Sequence, residues 1–178
     1  DDLAAVFDRA GPADPEHGIF DRAVAAFGEP PDVDGYARIF LVVTDLPGNT
    51  LGVFDPQVAG HEVPELRRDA VSLDPRAVSR DKRQAYGTLA HEFQHLIHWR
   101  WDEDEPFWVN EGLSGYAEEL AGYAEVDPTA VPAFLARPEI DLTPPDSVWF
   151  VAARAQPLYG ATYLLVSNLA ERYGHDFT

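Results

Sequence analysis

The run His91-Glu92-Phe93-Gln94-His95 constrains this chain more than any other feature. On a helix, residues four apart lie one turn apart on one face, so His91 and His95 aim their imidazoles at a common point. A zinc ion asks for that geometry, and Glu92 between them is placed to act as general base on a metal-activated water. Chance produces an H-E-x-x-H string in roughly one chain of this composition in fifty, so the surrounding sequence has to supply context.

The first context is helical. Asp81 can cap a helix over Lys82 to Trp99, and Tyr86, Leu89, Ala90, Phe93, Leu96 and Ile97 give it a broad apolar face. The motif therefore falls well inside a helix that runs through the middle of a domain.

The second context is a third ligand. A catalytic zinc takes three protein groups and keeps one position open. Glu111 is the candidate, and the fifteen residues between it and His95 suffice to turn the chain and lay a second helix alongside. That helix is expected from about Asn110 to Tyr123. Glu118 lies two turns beyond Glu111 on the same face. It either accepts the spare ring N–H of a ligand histidine, His91 first, or stands as an exposed helix carboxylate.

These residues carry a resemblance. H-E-F-Q-H followed by W-V-N-E-G-L-S-G-Y-A-E-E resembles the gluzincin class of zinc metallopeptidases, in which a Glu of an N-E-G-type motif completes the site. The stretches Thr88 to Trp99, Gly52-Val53-Phe54-Asp55 and Tyr159-Gly160-Ala161 resemble secreted bacterial peptidases of the hyicolysin and immune inhibitor A kind. The likeness covers roughly Ala37 to Gly174. It implies a zincin-like fold, zinc as cofactor, a protein or peptide substrate and an extracellular location. The gap before Glu111 is shorter than in thermolysin-like or aminopeptidase-like members, which implies a trimmed loop. The aminopeptidase signature G-x-M-E-N is absent from a chain with no Met, which favours cleavage within chains.

Catalysis of this kind also wants a donor for the tetrahedral oxyanion. Tyr159, expected at the start of the last long helix, is the first choice, and its alternative is a packed aromatic. Tyr163 and Tyr116 rank behind it. His98 reads as a surface or supporting histidine, since His91, His95 and Glu111 fill the protein positions. Ser114 lacks the spacing and the strand-to-helix setting of a nucleophile elbow. Calcium is a further candidate ion. The acidic loop Asp102 to Glu105 either binds it or is simply solvated. Asp32-Val33-Asp34-Gly35 resembles the opening of a calcium loop, but Tyr36 stands where another oxygen is wanted, so a solvated turn is the expectation.

Around the motif the chain reads as α+β, with a small sheet backing the metal helix. A short helix from Leu3 to Ala10 precedes one opened by Asp14-Pro15 and ended by Gly28. Ala37 to Thr44 reads as a central strand buried on both faces, Leu51 to Phe54 as a short second strand and Ala70 to Leu73 as a third. The third is the expected edge for pairing with an extended substrate. Asp127-Pro128 opens a short helix that stops at Arg137-Pro138, and the last helix starts near Pro157 and closes at Tyr173-Gly174. The whole is expected to be one domain, a sheet-containing part over about 1–100 and a helical part over about 101–178.

A formal net charge of −18 argues against nucleic-acid or anionic-membrane partners, and no apolar run is long enough to span a bilayer. With no cysteine there is no thiol nucleophile, and a transition metal has only His and carboxylate to hold it. The start Asp1-Asp2-Leu3 is neither an initiator Met nor a signal peptide, as expected of a mature or excised piece. A zincin-fold binding module, or an inactive fragment that keeps zinc without turnover, is the other functional reading. Retention of Glu92 beside an open coordination position speaks against it.

Overall fold

Three aspartates start helices in the central part of the chain. Asp55, Asp74 and Asp81 each accept a backbone N–H from the first turn that follows, and proline occupies the first helical position after Asp55 and Asp74. The computed structural model of the chain describes residues 2–123, 128–149 and 151–177. In order, its elements are α1 (Asp2–Asp8), α2 (Ile19–Phe27), β1 (Phe40–Val43), β2 (Gly52–Val53), α3 (Pro56–Ala59), β3 (Ala70–Leu73), α4 (Pro75–Arg80), α5 (Lys82–Trp99), α6 (Phe107–Leu120), α7 (Ala130–Ala136) and α8 (Ala152–Tyr173). The architecture is mixed and mostly helical around a three-stranded sheet, in keeping with the α+β expectation.

The sheet order is β1-β3-β2. β1 runs parallel to β3, with Phe40 opposite Ala70, and β2 runs antiparallel, with Gly52 opposite Leu73. Two sequence expectations fail here. β1 is an edge strand rather than a central one, and Phe40, Val42 and Val43 are 45%, 39% and 49% exposed. β3 is the central strand, hydrogen-bonded on both sides, so it has no edge to offer a substrate. An apolar, β-branched run announces a strand, but strand order depends on which segment packs on the helix. Here Val71 and Leu73 of β3 are fully buried against the core that α5 fills.

α5 runs from Lys82 to Trp99 as its sequence predicts, with Asp81 bonding the N–H groups of Arg83 and Gln84. Leu89, Phe93, Leu96 and Ile97 are all 0% exposed. Phe93 packs edge-on to Phe7 of α1 at 4.9 Å and stacks on Phe20 of α2 at 5.5 Å. Truncating a ring buried this way costs about 3–5 kcal/mol. α6 closes the other flank with Leu113, Tyr116 and Ala117, and α8 packs on both α6 and α7.

Two helix starts differ from expectation. α2 begins at Ile19, not at Asp14-Pro15, because Gly18 lies against the backbone of α1: a Cβ there would come within 2.2 Å of the Phe7 carbonyl oxygen. Asp14 instead bonds the backbone N–H of Glu16 and the ring of His17. α8 begins at Ala152, so Pro157 is interior to it, without the N–H that an interior helix position donates. Asp127, the expected opening of α7, lies outside the described residues, and the helix itself starts after Thr129. No helix among the described residues is long and apolar enough to cross a membrane.

Candidate metal centre

α5 and α6 bring His91, His95 and Glu111 together. One ligand atom from each lies within 4.8 Å of the others. Glu111 Oε2 is 3.2 Å from His91 Nε2, and Glu111 Oε1 is 3.7 Å from His95 Nε2. Tetrahedral donors about 2.1 Å from a zinc ion are separated by about 3.4 Å, so these spacings fit zinc's nitrogen and oxygen preferences.

The far ring nitrogens are held as well. His91 Nδ1 is 2.7 Å from Glu118 Oε1, and His95 Nδ1 is 2.9 Å from Asn110 Oδ1. With Nδ1–H donating to those oxygens, Nε2 of each ring is the nitrogen that faces the common point and, once deprotonated, the one that offers a lone pair there. Ser114, completely buried, lies behind His95: its Oγ is 3.0 Å from Nδ1 and donates to Gln94 Oε1.

Carboxylates govern the electrostatics around His91. Burial works against a charged His91, but hydrogen bonds to Glu111 and Glu118 outweigh it and hold the imidazole well above its usual range. Glu111 is buried too, which opposes its ionisation. The hydrogen bond from His91 and the neighbouring imidazoles nevertheless keep its carboxyl below the ordinary value. Three carboxylates, those of Glu92, Glu111 and Glu118, line the same cleft.

Glu92 is fixed by the sheet. Its Oε2 accepts the backbone N–H of Phe54 at 2.8 Å, just beyond β2. Gly52 makes this approach possible, since a Cβ there would lie 2.5 Å from Thr88 Cγ2 and 3.1 Å from Glu92 Cγ. The cleft has a volume of about 260 Å³, walled by Leu51, Gly52 and Thr88 on one side and by Ala130, Val131 and Tyr159 on the other.

The candidate tyrosines separate clearly. Tyr159, more than a turn into α8, lines the cleft and packs edge-on to Trp149 at 5.2 Å. Tyr163 also lines it, but its hydroxyl donates to Glu119 Oε2 at 3.0 Å; burial first, and the Glu119 charge next, push it up to about 12. Tyr116 is buried and bonds His175. His98 bonds Glu105 Oε2 at 3.1 Å. The carboxylates of the loop Asp102 to Glu105 form no cluster of three among the described residues.

Sequence reasoning gave no role to Asn110 or to the Phe54 N–H. The first had a signal, since the residue before the third ligand lies one turn ahead of Ser114 on α6. A backbone donor from the sheet had none. Comparison of the sequence with protein-family models and curated proteins, and of the fold with solved structures, finds no match.

Proposed function

We propose that the protein is a zinc-dependent endopeptidase of the gluzincin kind with a zincin-like fold. The observation that carries this reading is the convergence of His91 Nε2, His95 Nε2 and the Glu111 carboxylate within 4.8 Å, in the cleft that Glu92 lines. All three donors fit zinc, and the resemblance of the H-E-F-Q-H and N-E-G segments to secreted peptidases supports the same activity and an extracellular setting.

Zinc held by His91, His95 and Glu111 would acidify water and polarise the scissile carbonyl. Glu92 takes the proton from the attacking water and passes it to the leaving amine. Phe54 N–H holds that carboxylate at a fixed position throughout. Tyr159, which lines the cleft, donates to the developing oxyanion. The substrate main chain pairs with β2, whose only strand partner among the described residues is β3, and whose Gly52 lines the cleft. Leu51, Ala130 and Val131 offer its side chains apolar walls.

The test is metal analysis together with digestion of an unfolded protein, for the wild type, Glu92→Gln and Glu111→Ala. Glu92→Gln retains zinc and loses roughly 10²–10⁴-fold in rate, while Glu111→Ala loses zinc. Cleavage that survives removal of all metal would sink the mechanism. Stoichiometric zinc with no cleavage would mean a binding module.

A further inference from the structure

A second cluster of acidic side chains lies where the chain enters the sheet, apart from the His91–His95–Glu111 centre. Asp32, Asp34 and Asp69 each offer a carboxylate oxygen within 4.8 Å of the others. Asp69 is 1% exposed and stands immediately before β3, where its carbonyl accepts the Phe40 N–H at 2.8 Å. Its Oδ2 accepts the Val33 N–H at 2.9 Å. Its Oδ1 is buried with no hydrogen-bond partner, and so is Asp34 Oδ2.

A buried carboxylate oxygen with nothing to bond is costly, and here the cost is compounded. Burial first, with the charges of Asp34 and Asp32 adding to it, pushes Asp69 up to about 6 against the hydrogen bonds from the Val33 and Asp34 backbone. No cation of the chain forms an ion pair with any of the three among the described residues. At neutral pH, three carboxylates facing one another with two buried unbonded oxygens describe half of a coordination shell.

The structure assigns a calcium site to Asp32, Asp34 and Asp69. The donors are oxygen only, which suits a hard cation and not zinc. Calcium–oxygen distances of about 2.3–2.6 Å let opposite ligands stand nearly 5 Å apart, so three oxygens within 4.8 Å fit around one ion. The position Tyr36 occupies, where the sequence seemed to lack an oxygen, is irrelevant because the missing ligand arrives from Asp69, 36 residues beyond Val33. The ion ties the turn before β1 to the residue that precedes β3, and β3 leads through α4 into α5. Its role is to brace the sheet behind the metal helix. It stands independently of the peptidase reading.

Thermal melting of chelator-treated protein tests the site, with calcium chloride or magnesium chloride titrated at constant ionic strength. Calcium at about a hundred times its dissociation constant raises Tm by roughly 5–10 °C for a domain of this size, and magnesium raises it less. Asp69→Asn abolishes the calcium-dependent rise, and Asp32→Asn, at an exposed position, reduces it without threatening the fold. The rise persists in His95→Ala, which separates it from the zinc centre. No rise in wild-type Tm up to about 10 mM calcium, about ten times the weak end of extracellular sites, overturns the assignment. So does a rise that is the same in both aspartate variants, or one that magnesium matches.

Discussion

Glu118 Oε1 lies 2.7 Å from His91 Nδ1, although the two residues are 27 positions apart on different helices. The contact fixes which ring nitrogen carries the proton and so which one faces Glu111. Asn110 does the same for His95 with a neutral amide oxygen at 2.9 Å. One histidine is therefore backed by a charge and the other by a dipole, and a charged acceptor makes the stronger bond.

That asymmetry gives the first prediction. Glu118→Ala weakens zinc binding by roughly 10–100-fold, as loss of an outer hydrogen-bond partner typically does. Asn110→Ala weakens it less, and Glu118→Gln, which keeps an acceptor, recovers part of the loss. Competition with a chelator of known affinity measures all three. Unchanged zinc affinity in Glu118→Ala would mean that the carboxylate does not orient the ring.

The two cleft tyrosines give the second. If Tyr159 donates to the oxyanion, Tyr159→Phe lowers kcat by roughly 10²–10³-fold and leaves KM nearly unchanged. Tyr163→Phe stays within a few-fold of wild type, because that hydroxyl is already engaged with Glu119. Steady-state kinetics on a quenched-fluorescence peptide separates them, and a large kcat loss in Tyr163→Phe alone would reverse the assignment.

α5 was legible because everything that defines it is local. Asp81 caps it, its apolar residues keep helical spacing, and the two histidines repeat at one turn. Glu111 and Glu118 were legible as residues two turns apart on one helix, although α6 starts three residues earlier than the sequence suggests. The sheet was legible strand by strand but not in order. Phe40, Val42 and Val43 look like core residues, yet among the described residues β1 has a strand on only one side. Pro157 misled for a different reason: proline favours the first turn of a helix, and packing of α8 on α6 and α7 sustains the helix through it. Asp69 could not be found at all, because its partners lie across the β1–β3 pairing. Pairings between distant segments decide what local pattern leaves open.

Gly52 gives the third prediction. The nearest atoms to an added Cβ belong to Thr88, Leu73 and Glu92, the last of them the proposed base. Gly52→Ala costs about 1–3 kcal/mol by overpacking and also displaces Glu92. Activity at temperatures well below Tm falls further than the stability loss explains. Gly11→Ala serves as the control, since its Cβ meets only ordinary contact distances of 3.5 Å and more. A Gly52→Ala protein that melts and cleaves like the wild type would show that the close approach is not needed.

The fourth concerns acid. Asp74 is 1% exposed, and its carboxylate accepts the N–H of Leu46 and both the backbone and the guanidinium of Arg76. The Arg76 hydrogen bonds, then that of Leu46, hold its pKa far below the ordinary 3.8. The unfolded chain takes up a proton at Asp74 near 3.8, while the folded chain keeps it ionised to lower pH. Protons therefore favour the unfolded state in that window, and the stability that Asp74 contributes is complete at neutral pH and drains away below about pH 5. Asp74→Asn lowers Tm at pH 7, where the ion pair and the charged cap are lost. The gap between variant and wild type then narrows as pH falls toward about 3, because the wild type loses what the variant never had. Calorimetric melts across pH 7 to 3 follow this directly. A gap of constant size over the whole range would mean that the Asp74 carboxylate is not the group whose ionisation ties the loop before β2 to the start of α4.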